Sequence, residues 1–144
     1  MNLDSSAFVA DQELIRALRD RARAVDCSSN QILFVQGDAP AGVYIVQRGD
    51  VTMTMESPTG DEVAAIRLEP NSLLGLPGVL GNSPYSMSAY AKAGAEISFL
   101  ARDDFSALML SEPGLAMMIL RVLASEVRTA RIALTGRSRE SQKR

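Results

Sequence analysis

The chain has 144 residues, 47% hydrophobic and 22% charged, with a formal net charge of −2; this is the profile of one globular domain with its own core, and it excludes a disordered or membrane-spanning chain. There is no histidine, the usual ligand or proton carrier of zinc hydrolases, cupin-type metal sites, haem pockets and Ser-His-Asp triads, so no enzyme, metal site or cofactor is expected. The acidic balance argues against a general nucleic-acid surface, and the single cysteine, Cys27, builds neither an internal disulfide nor a metal site alone.

The first six residues show no basic segment followed by an apolar one, so no secretory signal is read and a cytoplasmic location is expected. Residues 11–25 place Leu14, Ile15, Leu18, Ala22 and Val25 at helical spacing, with Arg16, Arg19, Asp20, Arg21 and Arg23 on the other faces. The pattern predicts one amphipathic helix, capped by Asp11 and ended by the polar run 26–30, with Cys27 as a small residue near its end. Its arginines read as a solvated face.

Between residues 31 and 101 short apolar or alternating runs recur (32–35, 43–46, 51–55, 63–68, 87–91 and 95–100), separated by Gly, Pro, Asn and Asp. In the third run Val51, Met53 and Met55 point one way and Thr52, Thr54 and Glu56 the other, the period of two of a strand with one wet face. The turn 57–61, with Pro58 and Gly60, predicts an antiparallel hairpin. Many short strands joined this way imply a barrel or jelly roll.

Closing helices are predicted over 103–134. Asp103 or Asp104 caps a short helix carrying Phe105, Leu108 and Met109, and Pro113-Gly114 ends it. A longer helix over 115–134 carries two apolar stripes. Leu115, Ile119 and Val122 suffice for the core of the chain itself. The other, Ala116, Leu120, Leu123, Val127, Ala130 and Leu134, has heptad spacing, which makes Leu120, Leu123, Val127, Ala130 and Leu134 a candidate homodimer interface. Gly136 is expected to stop the helix, so that the domain spans 1–136 and residues 137–144 form a frayed basic tail.

The segment Gln36-Gly37-Asp38-Ala39-Pro40-Ala41-Gly42-Val43-Tyr44-Ile45-Val46-Gln47-Arg48-Gly49-Asp50-Val51 resembles the opening of the cyclic-nucleotide-binding domains of catabolite-activator-type regulators and cyclic-nucleotide-dependent kinases. Gly37-Asp38 and Gly49-Asp50 supply tight corners around a buried strand. The likeness extends over roughly residues 10–135. It implies a mainly β fold with flanking helices, a cyclic-nucleotide-binding-like β-roll (double-stranded β-helix or jelly roll) with an N-terminal helix and a long C-terminal helix.

In that family a phosphate-binding cassette presents a glycine-glutamate pair, a short helical turn, then arginine and a small residue. The matching stretch here is 74–89. Gly75 keeps its place, Leu76 stands where the glutamate is expected, and Tyr85 stands where the arginine is expected. The ligand-binding candidates the resemblance implies are Gly75, Leu76, Pro77, Gly78, Ser83, Pro84, Tyr85 and Ser86. Each lost charge-assisted bond is worth about 1.5–3 kcal/mol, so a micromolar ligand weakens towards millimolar or worse. Pro77 suits the first turn of a short helix, and the N–H groups of Gly75, Leu76 and Gly78 with the hydroxyls of Ser83, Tyr85 and Ser86 still offer donors to an anion.

The reading is a non-catalytic regulatory or sensor domain, with a cyclic nucleotide or another small anion as the ligand class and weak or no binding of cyclic AMP or cyclic GMP. The alternative is a protein-interaction or dimerisation module with a closed pocket, acting on a separate effector protein. No room remains after the long helix for a helix-turn-helix, so DNA binding by this chain alone is not expected, nor is a membrane partner. The C-terminal excess of Arg121, Arg128, Arg131, Arg137, Arg139, Lys143 and Arg144 over Glu126 and Glu140 reads as a solvated face and tail, with an acidic partner as the alternative.

Overall fold

The computed structural model describes residues 2–142, with side chains described for residues 2–135. A 3-10 turn, Ser5–Phe8, leads into α1, Gln12–Arg19. There follow β1 (Arg23–Val25), β2 (Gln31–Phe34), β3 (Gly42–Arg48), β4 (Val51–Glu56), β5 (Glu62–Arg67), β6 (Ser72–Leu74), α2 (Leu76–Gly81), β7 (Ser88–Ala91), β8 (Glu96–Ala101), α3 (Arg102–Ser111) and α4 (Pro113–Gln142). The strands form two antiparallel four-stranded sheets, ordered β1-β8-β3-β6 and β2-β7-β4-β5.

Both sheets turn one face onto a common core. Val46, Leu74 and Ile97 come from the first, and Phe34, Val51, Met53, Ile66, Ala89 and Ala91 from the second. The alternation of β4 is the expected one, with Val51 and Met53 buried and Thr52 and Thr54 partly exposed. The β4–β5 hairpin closes at 57–61, where the Ser57 amide donates to the Asp61 carbonyl (2.8 Å) and Gly60 has φ +90°. The outer face of the first sheet carries a second core, in which Val43, Ile45, Leu73 and Leu100 pack with Leu14, Ile15 and Leu18 of α1, Phe105 and Leu108 of α3, and Leu115, Ile119 and Val122 of α4.

The expected helix over 11–25 is shorter than its spacing suggests. It ends at Arg19, the chain turns through Asp20–Ala22, and Arg23, Ala24 and Val25 pair with Phe99, Ser98 and Ile97 of β8. An unpaired β8 edge would leave backbone donors and acceptors without partners, and β1 satisfies them. Cys27 is therefore a buried residue just beyond a strand. Asp11 occupies the N-cap position of α1 without a side-chain capping bond. β6 is an additional strand, three wholly buried residues between the left-handed backbones of Asn71 (φ +68°) and Gly75 (φ +91°).

At the other end, Asp103 and Asp104 lie inside the first turn of α3, whose N-cap is Ala101; their charges still suit the positive helix end. Pro113 ends α3 and opens α4, consistent with proline at a first helical position. α4 does not stop at Gly136 but continues to Gln142; a glycine costs a helix interior only about 1 kcal/mol, too little to end a helix alone. Residues 137–142 of the expected tail are therefore helical in backbone, while their side chains and all of residues 143 and 144 lie outside the described residues. The N-terminal turn is tied down: the Asp4 carboxylate accepts from the Ser6 amide (2.9 Å), and the Asp4 amide donates to Thr129 Oγ1 on α4 (2.7 Å).

Candidate functional site

The expected cassette is the passage from β6 through α2 to β7. Gly75 turns the chain at φ +91°, and a Cβ there would sit 2.9 Å from Cε1 of Tyr85, so both backbone and space require glycine. α2 follows with Pro77 in its first turn and Asn82 as its left-handed C-cap, the Asn82 amide donating to the Gly78 carbonyl. The chain then turns at Asn82 and Ser83, the Ser83 amide also donating to the Gly78 carbonyl (3.0 Å), and reaches Tyr85.

Tyr85 is fastened twice to the β2–β3 loop. Its amide donates to the Asp38 carbonyl (2.9 Å), and its own carbonyl accepts from the Gly37 amide (2.9 Å). Its side chain stacks on Phe34 at a centroid distance of 4.2 Å. The hydroxyl donates to the Gly42 carbonyl (2.7 Å) and accepts from the amides of Ala41 (3.0 Å) and Gly42 (3.2 Å). Gly42 is required by a separate contact, because a Cβ there would lie 2.2 Å from the Leu100 carbonyl oxygen and 2.8 Å from the Phe99 ring on β8. A buried phenol with three hydrogen bonds and a stacked ring is a rigid part of the wall.

A cavity of about 30 Å³ remains, lined by Phe8, Phe34, Met53, Gly75, Pro77, Gly78, Tyr85, Ser86, Met87 and, from α4, Glu126. That is room for about one water-sized group, against the ~300–1,000 Å³ of small-molecule sites. Glu126 Oε2 is buried and has no hydrogen-bond partner among the described residues. Burial pushes its carboxyl from the ordinary 4.5 up to about 8.

Of the cassette residues read from the sequence, Gly75, Pro77, Gly78, Tyr85 and Ser86 meet at this cavity. Leu76 does not: it is 0% exposed and packs in the helical layer. A glutamate at that position would face apolar side chains. Ser83 and Pro84 are exposed and outside the lining. Phe8, Phe34, Met53, Met87 and Glu126 complete the cavity; Phe34, Met53 and Met87 fall in the apolar runs read as strands, whereas Glu126, expected on a solvated face, buries a carboxylate oxygen here.

Residues 24–112 match the family described as the cyclic nucleotide-binding domain. The chain is 31% identical over 102 residues to the "Cyclic AMP receptor protein" of Thermus thermophilus, covering 71% of this chain and 47% of that protein. The crystal structure of the Thermus thermophilus catabolite activator protein superposes with a TM-score of 0.76 at 26% identity, over 89% of this chain and 60% of that one. The N-terminal domain of a transcriptional regulator from Streptomyces coelicolor A3(2) gives 0.63 at 25% identity, over 83% and 86%. The chain spans about half the length of the curated relatives it matches. Among the described residues no single helix is long and apolar enough to cross a membrane. The two-sheet roll, the Gly75-to-Ser86 passage and the matched sequence agree: the chain belongs to the cyclic nucleotide-binding domain family.

Proposed function

We propose that this is a non-catalytic regulatory domain whose cassette is closed by its own Tyr85, so that cyclic AMP and cyclic GMP bind weakly or not at all. The observation that carries the reading is the fixed Tyr85 ring with about 30 Å³ left beside it. Entry of a cyclic nucleotide requires breaking the Tyr85 contacts to Ala41 and Gly42, and no arginine or glutamate of the cassette repays that cost. Thermal-shift titration with cyclic AMP and cyclic GMP tests it. A ligand at 100 times its Kd raises native-state stability by about 2.7 kcal/mol. The expected response is flat up to millimolar nucleotide; a saturable upward shift at micromolar concentration sinks the proposal.

The small size of the cavity favours the second reading, an interaction module that works through α4. One stripe of that helix, Leu115, Ile119 and Val122, is buried in the core. The other leaves Leu120, Val127 and Leu134 exposed by 55%, 50% and 53%, with Leu123 and Ala130 half-buried between them. Exposed leucines and valines at heptad spacing support a homodimer along this seam. Sedimentation is expected to show a dimer, converted to monomer by Leu120→Glu with Val127→Glu, because both positions are solvent-facing in the single chain and their substitution spares its core. A parent chain that sediments as a monomer overturns this reading.

A further inference from the structure

The outer face of the first sheet is apolar where helices cover it and polar where they do not. Val43, Ile45, Leu73 and Leu100 lie in the helical core. Further along the same face stand Ala24, Gln47 and Ser98, and α1 overhangs them with Gln12, Arg16 and Arg19. Between helix and sheet runs a cleft of about 720 Å³, within the size range of small-molecule sites and far larger than the cavity at Tyr85.

Its charge is set by α1. Arg16 and Arg19 are three residues apart, which places them side by side along the helix. Asp20 is the carboxylate in the lining, leaving the cleft one positive charge in excess. The ion pairs among the described residues join Arg48 to Glu96, Arg67 and Lys92 to Asp50, and Arg121 to Asp11; neither Arg16 nor Arg19 has a carboxylate within pairing distance. Arg19 is nonetheless held in position. With its amide oxygen turned to the guanidinium, Gln47 accepts from Arg19 Nε (2.5 Å) and Nη2 (3.1 Å) and from the Ser98 hydroxyl (3.0 Å). Ser98 itself is buried, so the chain of bonds is rooted in the sheet.

We propose that this cleft binds a small polyvalent organic anion, of phosphate or carboxylate type, between Arg16 and Arg19. The planar guanidinium fork of Arg16 matches such an oxyanion two bonds at a time, Arg19, whose Nε and Nη2 face Gln47, adds its charge and its remaining N–H groups, and Gln12 and Asn71 offer further hydrogen bonds to a polar body. The site is separate from the cassette and independent of whether a nucleotide binds there.

Calorimetric titration at low ionic strength with glucose 6-phosphate, citrate and inorganic phosphate tests the proposal, its arms separating phosphate from carboxylate chemistry. One of the two organic anions is expected to bind at a single site, more tightly than inorganic phosphate. Arg16→Ala with Arg19→Ala is expected to weaken that binding ten- to a hundredfold. Arg16→Lys with Arg19→Lys keeps the charge but loses the forks, and is expected to fall between. Lys92→Ala, which removes a cation from the loop after β7, is expected to leave it unchanged. No binding of any probe up to about 10 mM overturns the proposal, as does equal weakening by Lys92→Ala.

Discussion

Tyr85→Ala is expected to destabilise the domain by about 3–5 kcal/mol, the range for removing a large buried aromatic side chain. The ring is 4% exposed and stacked on Phe34, so truncation removes that stack and enlarges a cavity the surrounding strands are not free to fill. It also strands the Ala41 and Gly42 amides and the Gly42 carbonyl, all of which meet the Tyr85 hydroxyl. Tyr85→Phe separates the two contributions. It keeps the stack and loses only the hydroxyl, for an expected cost of about 1–3 kcal/mol. Urea denaturation of the parent and both variants measures the series; a Tyr85→Ala variant within about 1 kcal/mol of the parent would show that the ring is not a structural closure. The same series bears on function, because a tyrosine that carries this much stability is costly to swing aside for a ligand.

The roll is legible in the sequence because its signals are local. Gly37 and Gly49 do adopt positive φ at the corners of β3, and the β4 alternation and the 57–61 turn need only their own residues. The end of α1 is not legible. Ala22 and Val25 continue a helical stripe on paper, and only the edge of β8, far along the chain, makes residues 23–25 a strand. The same division runs through the site. Leu76 and Tyr85 are visible as departures from a cassette, yet their roles depend on what surrounds them. Leu76 turns into the helical layer, so its substitution marks a packing position, whereas Tyr85 meets Phe34 of β2, Ala41 of the β2–β3 loop and Gly42 of β3, all well before it in the chain. Arg16 and Arg19 are exposed, as a solvated face requires, and the cleft beside them becomes visible only when the sheet beneath is placed. Glu126, on a helix with several exposed polar residues, gives no sign in sequence that it faces inward.

Glu126→Gln is expected to stabilise the domain at neutral pH by about 2–4 kcal/mol and to flatten its stability above pH 5. The cavity around the carboxyl holds aromatic rings, methionines, Pro77 and the Ser86 hydroxyl, and no cation. Burial therefore favours the neutral acid and raises the folded-state value from 4.5 to about 8. The sign follows from linkage. Below pH 4.5 the carboxyl is protonated in folded and unfolded chains alike, and its contribution is fully present. As the pH rises from there, the unfolded chain releases the proton while the folded chain keeps it, so stability falls by about 1.4 kcal/mol per pH unit until the folded group also ionises near pH 8. Glutamine has nearly the same shape and never ionises, so the variant escapes this loss. Thermal melts of parent and variant between pH 5 and 9 are expected to converge at the acid end and to separate by on the order of 10 °C near pH 8. Parallel curves across that window would mean that the carboxylate is already ionised and solvated in the folded domain. Convergence at the acid end alone would place a neutral acid of α4 against the closed cassette, with its ionisation opposing that closure.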